Sequence, residues 1–192
     1  MKRNTLYGAL LIVFIGAAGF VIIKFRSEEK HKKGVVYQLL DRKGLLAQTD
    51  EWINTQKSAT KLMAAVKANP DDIKSKVALA NLFILEARAT GNYSYYDKAA
   101  MKYVNDVLVK EPENFDALTL KALLYLSQHH FADGLALAES AEKVNPYNAF
   151  IHGILVDGHV EMGHYDSAVA SAERMMSIRP DLRSYARASY LR

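Results

Sequence analysis

Residues 163–180, GHYDSAVASAERMMSIRP, end on a proline, and so does the stretch FADGLALAESAEKVNP at 131–146. Both stretches carry small residues at helical spacing, Ala138 with Ala141 and Ala168 with Ala172. Both halt at proline, which lacks an N–H and clashes with the preceding turn of a helix. The chain holds only four prolines, Pro70, Pro112, Pro146 and Pro180, and the interval from Pro112 to Pro146 equals that from Pro146 to Pro180. The first interval is eight residues longer. A helix and its stop signal repeated at a fixed distance predict a stack of like helical units.

Working outward, the region from Gly34 to Pro180 reads as helix punctuated by turns. VVYQLLDRKGLLAQTDEW and WINTQKSATKLMAAVKANP carry apolar residues three and four apart, with Gly44 and Pro70 as breaks, and no alternating strand pattern appears. At 192 residues, half of them apolar and 24 % charged, the chain is long enough to bury a sizeable core. It contains no cysteine, which excludes disulfides, thiolate metal sites and cysteine nucleophiles.

A unit of about 34 residues, two amphipathic helices closing on Pro, resembles the tetratricopeptide repeat, and the resemblance covers residues 70–192. In the unit from Ala149, Gly163 falls at the turn, Tyr165 follows it, Ala168 and Ala172 are the small residues where two helices approach, and Pro180 ends the second helix. The unit from Phe115 matches through Ala122, Tyr125, Phe131, Gly134, Ala138, Ala141 and Pro146; an earlier unit matches through Leu79, Ala80, Phe83, Ala100 and Pro112. The extra eight residues of that unit fall around RATGNYSYY, whose tyrosines read first as part of a lengthened helical hairpin and second as a sticky rim for recognition. His152 and His159 stand where the family usually has aromatic residues, and Lys121 replaces an apolar one.

The resemblance implies an all-α fold, a helical-hairpin solenoid whose first helices line a concave surface suited to a peptide or helix of another protein. The groove-facing places correspond here to Lys74, Val77, Asn81 and Ile84, then Asp116, Thr119, Leu123 and Leu126, then Phe150, Asp157, Val160 and Glu161. Members that clamp the C-terminal carboxylate of chaperones use Lys and Arg together with Asn. Only Asn81 agrees with that pattern, because Val77, Leu120, Phe150 and Ile154 occupy the other places, so that specificity is not supported.

The N-terminus differs from the rest. Asn4 to Ile23 run twenty residues without a charge, enough for a helix to cross a hydrocarbon core of roughly 30 Å. The run outlasts a signal-peptide core and meets Lys24 and Arg26, so the expectation is an uncleaved single-pass transmembrane helix rather than a cleaved leader. Residues 1–33 hold seven Lys and Arg against two Glu, whereas residues 34–192 hold 18 basic against 19 acidic side chains. Positive flanks stand on both sides of the run, which leaves the side of the soluble body open.

Catalytic constellations are missing: no GxSxG, HExxH, phosphate loop or glycine-rich dinucleotide turn occurs. Asp71 with Asp72 and Glu111 with Glu113 are paired acids at helix starts, explained by capping. The near-neutral body lacks a basic stripe for nucleic acid. His152 and His159 share a helix face but have only Leu155 and Val156 between them, so packing outranks metal binding.

The expectation is therefore a transmembrane anchor with basic flank at 1–33, N-terminal capping helices at 34–69, and at 70–192 about three repeats plus the first helix of another. It is expected to be a non-enzymatic, cofactor-free adaptor that binds proteins or peptides, not nucleic acid, at a bacterial inner membrane. Alternatives are a cytochrome c maturation or envelope assembly factor, since the anchor and the ANPDD entry resemble those proteins, or the recognition part of an enzyme complex. DLRSYARASYLR at 181–192 begins a helix that no second helix follows, and three readings stand: the chain is a piece of a longer repeat protein, this helix docks on a second copy as a homo-oligomer, or one amphipathic helix caps the array by itself.

Overall fold

The computed structural model describes residues 36–191, together with 7, 11, 13–21 and 24. The chain divides into two units, Met1–Gln38 and Leu39–Arg192. In the first, the described positions 7, 11, 13–21 and 24 are helical. Among the described residues no helix is long and apolar enough to cross a membrane. The other positions of the expected anchor, including all of its basic flank beyond Lys24, lie outside the described residues.

The second unit is all-α. A 3-10 turn at Gly44–Gln48 leads to α1 (Asp50–Ala68), followed by α2 (Ile73–Thr90), α3 (Tyr93–Leu108), α4 (Phe115–Ser127), α5 (Phe131–Val144), α6 (Ala149–Glu161), α7 (Tyr165–Ile178) and α8 (Leu182–Tyr190). Helices α2/α3, α4/α5 and α6/α7 pair as hairpins; each second helix packs on the next first helix, and the first helices α2, α4, α6 and α8 touch in series.

Each proline is followed closely by a capping side chain that starts the next first helix. Asp72 accepts from the Ser75 amide at 3.0 Å, Asn114 from Ala117 at 3.0 Å, Asn148 from Phe150 at 2.9 Å and Asp181 from Ser184 at 3.1 Å. Each such cap satisfies a donor the helix leaves open and is worth about 1 kcal/mol. Of the paired acids read as caps only Asp72 caps, its carboxyl held below the usual range by the Ser75 side chain and amide, while the helix start beside Glu111 and Glu113 is capped by Asn114. Neighbouring Asp71 pairs with Lys110.

Three turns inside the hairpins share one geometry. Gly91 and Gly163 sit at φ 73°, and His129, one repeat before Gly163, sits at φ 62°. The residues that follow the turns, Asn92, His130 and His164, have nearly identical backbones without a side-chain cap. Small residues then let the paired helices close: Ala138, Ala141 and Ala168 are fully buried, and Gly134 lies under Leu126. Leu118, Ala122, Leu135, Ile151, Ile154 and Leu155 fill the space between hairpins. Burying each of the larger side chains contributes roughly 1.5–3 kcal/mol.

One expectation needs correction. Among the described residues of the stretch at 34–69, only Asp50–Ala68 is α-helical, and residues 36–43 run without helix. Their apolar spacing is used differently: Leu40 bonds through its backbone to the Tyr96 hydroxyl, and Arg42 is buried against Glu86, with its guanidinium 4.9 Å from the Trp52 ring. The extra eight residues around RATGNYSYY lengthen the hairpin rather than adding a long turn. Helix α2 has 18 residues where α4 and α6 have 13, α3 has 16 where α5 and α7 have 14, and the turn is only Gly91 and Asn92. Tyr96 is buried and stacks on Phe83 at 5.7 Å, Tyr95 meets it edge-on, and only Tyr93 stays exposed. The tyrosines build a longer hairpin, in keeping with the first of the two readings.

Candidate functional site

First helices that touch in series turn one side chain in three or four toward a common side. On α2 that row is Lys74, Val77 and Asn81; on α4 it is Asp116 and Thr119; α6 supplies Phe150. These residues line one groove of about 660 Å³, closed at its loop edge by Glu111, Asn114 and Asn148. Ile73, Ala78, Phe115 and Leu120 complete the lining. Lys74, Asn81 and Asp116 are exposed or partly so, and Phe150 is 46 % exposed, a large apolar side chain standing free at the edge of a hollow. Thr119 lies deep, its hydroxyl donating to the Phe115 carbonyl at 2.7 Å. Glu111 accepts from the Asn114 amide group at 2.7 Å. The groove thus offers an apolar lining, one lysine, two carboxylates and three amide side chains. Such a lining can hold an apolar side chain and read the polar groups beside it.

A second hollow of about 530 Å³ lies between α6 and α8, lined by Val156, Asp157, Val160, Glu161, Arg183, Ala186, Arg187 and Tyr190. Asp157 is committed here: Arg187 donates Nε to Oδ1 at 3.0 Å and Nη2 to Oδ2 at 2.8 Å. This bidentate bond raises the guanidinium's pKa further above its ordinary value. Helix α8 therefore stands as a fourth first helix, tied across the hollow to α6.

The remaining sequence-derived positions lie elsewhere. Ile84 is 5 % exposed and belongs to the core, Leu123 and Leu126 pack on the hydrophobic cluster, and Leu126 also covers Gly134. The family correspondence places residues by register; here those three registers rotate into the neighbouring helix. Residues absent from that correspondence, Glu111, Asn114, Asn148, Arg183, Arg187 and Tyr190, come from caps and from the last helix. The cap two residues beyond Pro112 and Pro146 was the available signal.

The histidines pack. His152 is 2 % exposed, its Nε2 lies 2.8 Å from the Pro146 carbonyl, and its Nδ1 is 3.5 Å from Glu142. His159 has a buried Nδ1 with no partner, its ring lies 5.9 Å from that of His164, and burial lowers its pKa. Lys121 half-buries its stem and carries its ammonium 5.8 Å from the Tyr125 ring. Among the described residues no group of three or more His, Cys, Asp or Glu is placed to hold a metal.

No family model and no curated protein matches the sequence. Solved structures do match. A crystal structure of MamA aligns with TM-score 0.59 at 14 % identity, covering 78 % of this chain and 84 % of that one. TTC0263, a thermophilic TPR protein in Thermus thermophilus, aligns with TM-score 0.60 at 17 % identity, covering 73 % and 75 %. A further match, MamA MSR-1 C2, has TM-score 0.52 at 15 % identity and covers 72 % and 85 %. At these identities the likeness is one of fold: the body of this chain is an all-α, tetratricopeptide-like stack of helical hairpins.

Proposed function

We propose that this protein is a non-catalytic scaffold that holds a segment of another protein in the groove formed by α2, α4 and α6, and that it is tethered to a membrane by the uncharged run Asn4–Ile23. The observation that carries the reading is Phe150, half-exposed at a groove flanked by Lys74, Asn81 and Asp116. Exposed aromatic anchors in a concave site supply most of the binding energy at protein interfaces. The tether rests on the length of the uncharged run and on Lys24 and Arg26 behind it. An adaptor or assembly factor at a bacterial inner membrane fits both features, and the protein works without cofactor or nucleic acid in this reading.

The test is capture from detergent-solubilised membranes with the full chain, compared with the variant Lys74→Glu, Asn81→Ala, Asp116→Lys, Phe150→Glu. None of the four side chains is buried, so the helical content should hold. Partners retained by the parent chain and lost by the folded variant support the groove. Equal recovery by both would remove it. Leu123→Ala and Asp157→Lys are unsuitable probes, since one opens the core contact and the other breaks the bond to Arg187.

A further inference from the structure

Lys74, Asp116 and Phe150 hold the same place in their helices, the second residue of α2, α4 and α6. Those helices touch in series, so the three side chains form one row at the rim of the groove. One turn further in come Val77 and Ala78 on α2 and Thr119 and Leu120 on α4. The hollow is therefore charged along its rim and mainly apolar below it.

The rim charges are not balanced. The carboxyl of Asp72, the cap of α2, is held below its usual range by the Ser75 side chain and amide and, behind them, by Lys74, so the one lysine already has an acid beside it. Asp116 has no such neighbour. Among the described residues its exposed carboxylate accepts no hydrogen bond and joins no ion pair, while its place in the first turn of α4 suits a negative charge. Glu111 accepts at one oxygen from the Asn114 amide group at 2.7 Å, and Lys110 next to it is taken by Asp71. Two carboxylates thus face the groove without a cation of their own.

We propose that the segment held in this groove carries a lysine or arginine directly beside an apolar residue, the apolar side chain on Val77, Leu120 and Phe150 and the cation on Asp116 and Glu111. The inference rests on the reading of the groove as a protein-binding surface and names the chemistry of what it takes. A segment that is apolar throughout would strip water from the two carboxylates and leave them unpaired, and an acidic one would add repulsion to that cost. A basic side chain replaces the lost water with ionic hydrogen bonds, and its aliphatic stem lies well on the apolar lining. Asp116 and Leu120 are one helical turn apart, about 5–6 Å between Cβ atoms, a span that neighbouring side chains of a bound segment cover.

The probe is an array of short peptides of random sequence, exposed to the labelled full chain in mild detergent. Peptides that the parent binds and Phe150→Glu loses should be enriched in Lys or Arg beside an apolar residue. Asp116→Asn should weaken their binding about two- to fivefold, as loss of a partly solvated ion pair does. Asp116→Lys should exchange the basic preference for an acidic one. Positions 116 and 150 are exposed, so the helical spectra of the variants should match the parent's. Raising salt from about 0.05 to 0.5 M should weaken the parent's binding by a similar factor, a readout that needs no variant. Groove-dependent peptides that are acidic or apolar throughout, that bind Asp116→Asn and the parent alike, or that ignore salt would overturn the proposal while the groove itself stands. If no peptide is lost in Phe150→Glu, the groove reading falls and this inference with it.

Discussion

Glu86→Ala is the perturbation that asks most of the second unit. Arg42 and Glu86 are each 2 % exposed at the side chain and share two hydrogen bonds, while Glu51, 65 % exposed, holds the other side of the guanidinium at 2.6 and 3.1 Å. Removing one partner of a buried ion pair leaves the other charge uncompensated and costs about 3–5 kcal/mol. Glu51 persists in the variant and keeps Arg42 partly satisfied, so the lower end, about 3 kcal/mol, is expected. Glu51→Ala removes only the solvated partner and should cost about 1 kcal/mol or less. The assay is urea unfolding of the full chain, with both variants compared at unchanged slope. For a body of this size 3 kcal/mol corresponds to roughly 6–12 °C in Tm. Amide exchange at Leu40, whose N–H donates to the Tyr96 hydroxyl at 3.1 Å, should quicken in Glu86→Ala as residues 40–42 loosen. Equal losses from the two variants, or less than about 1 kcal/mol from Glu86→Ala, would refute the idea that the buried pair pins this segment.

Three further outcomes are expected. His129→Gly should stabilise the protein by about 0.5–1 kcal/mol in the same assay, because glycine relieves the left-handed backbone at φ 62°, less the ring contact with Phe131 at 5.4 Å. Gly134→Ala should destabilise by about 1–2 kcal/mol despite alanine's better helix propensity, since the added Cβ would lie 2.8 Å from Leu126 Cδ2 and 3.2 Å from the Ala122 carbonyl oxygen. His159 is depressed by burial, so its contribution to stability is fully present above the ordinary value of 6.5 and is lost as pH falls through the folded value. Unfolding midpoints recorded from pH 7.5 downward should therefore fall less steeply in His159→Leu than in the parent chain.

The repeats were legible because their signals are local and periodic. Pro112, Pro146 and Pro180 mark the ends of second helices, and the caps that follow them set the first helices within a residue or two. The burial of Ala138, Ala168 and Ala172 was legible for the same reason, since a small residue repeated at helical spacing marks a close approach. The segment at 36–43 was not, because its fate is decided by Glu86 and Tyr96, 44 and 56 residues away in sequence. The lengthened hairpin at RATGNYSYY was the first of two readings, and the burial of Tyr96 on Phe83 bears it out.

In the groove, register alone picked out Lys74, Val77, Asn81, Asp116, Thr119 and Phe150 as sharing one hollow, but it also named Ile84, Leu123 and Leu126. Those three are apolar, and an apolar residue at the border of a helix face goes to whichever neighbour lies nearer. The Arg187–Asp157 bond lay beyond sequence reasoning because it joins the last helix to one 30 residues earlier.

Photocrosslinking from the groove tests most directly whether the concave face is the surface that meets other proteins. A photoreactive amino acid replacing Asn81, exposed inside the groove, is compared in cells with the same substitution at Ser140, exposed on the second helix α5. Discrete protein adducts from position 81, absent from position 140 and suppressed by Phe150→Glu, are expected. Adducts from position 140 with none from position 81 would contradict a partner-binding groove.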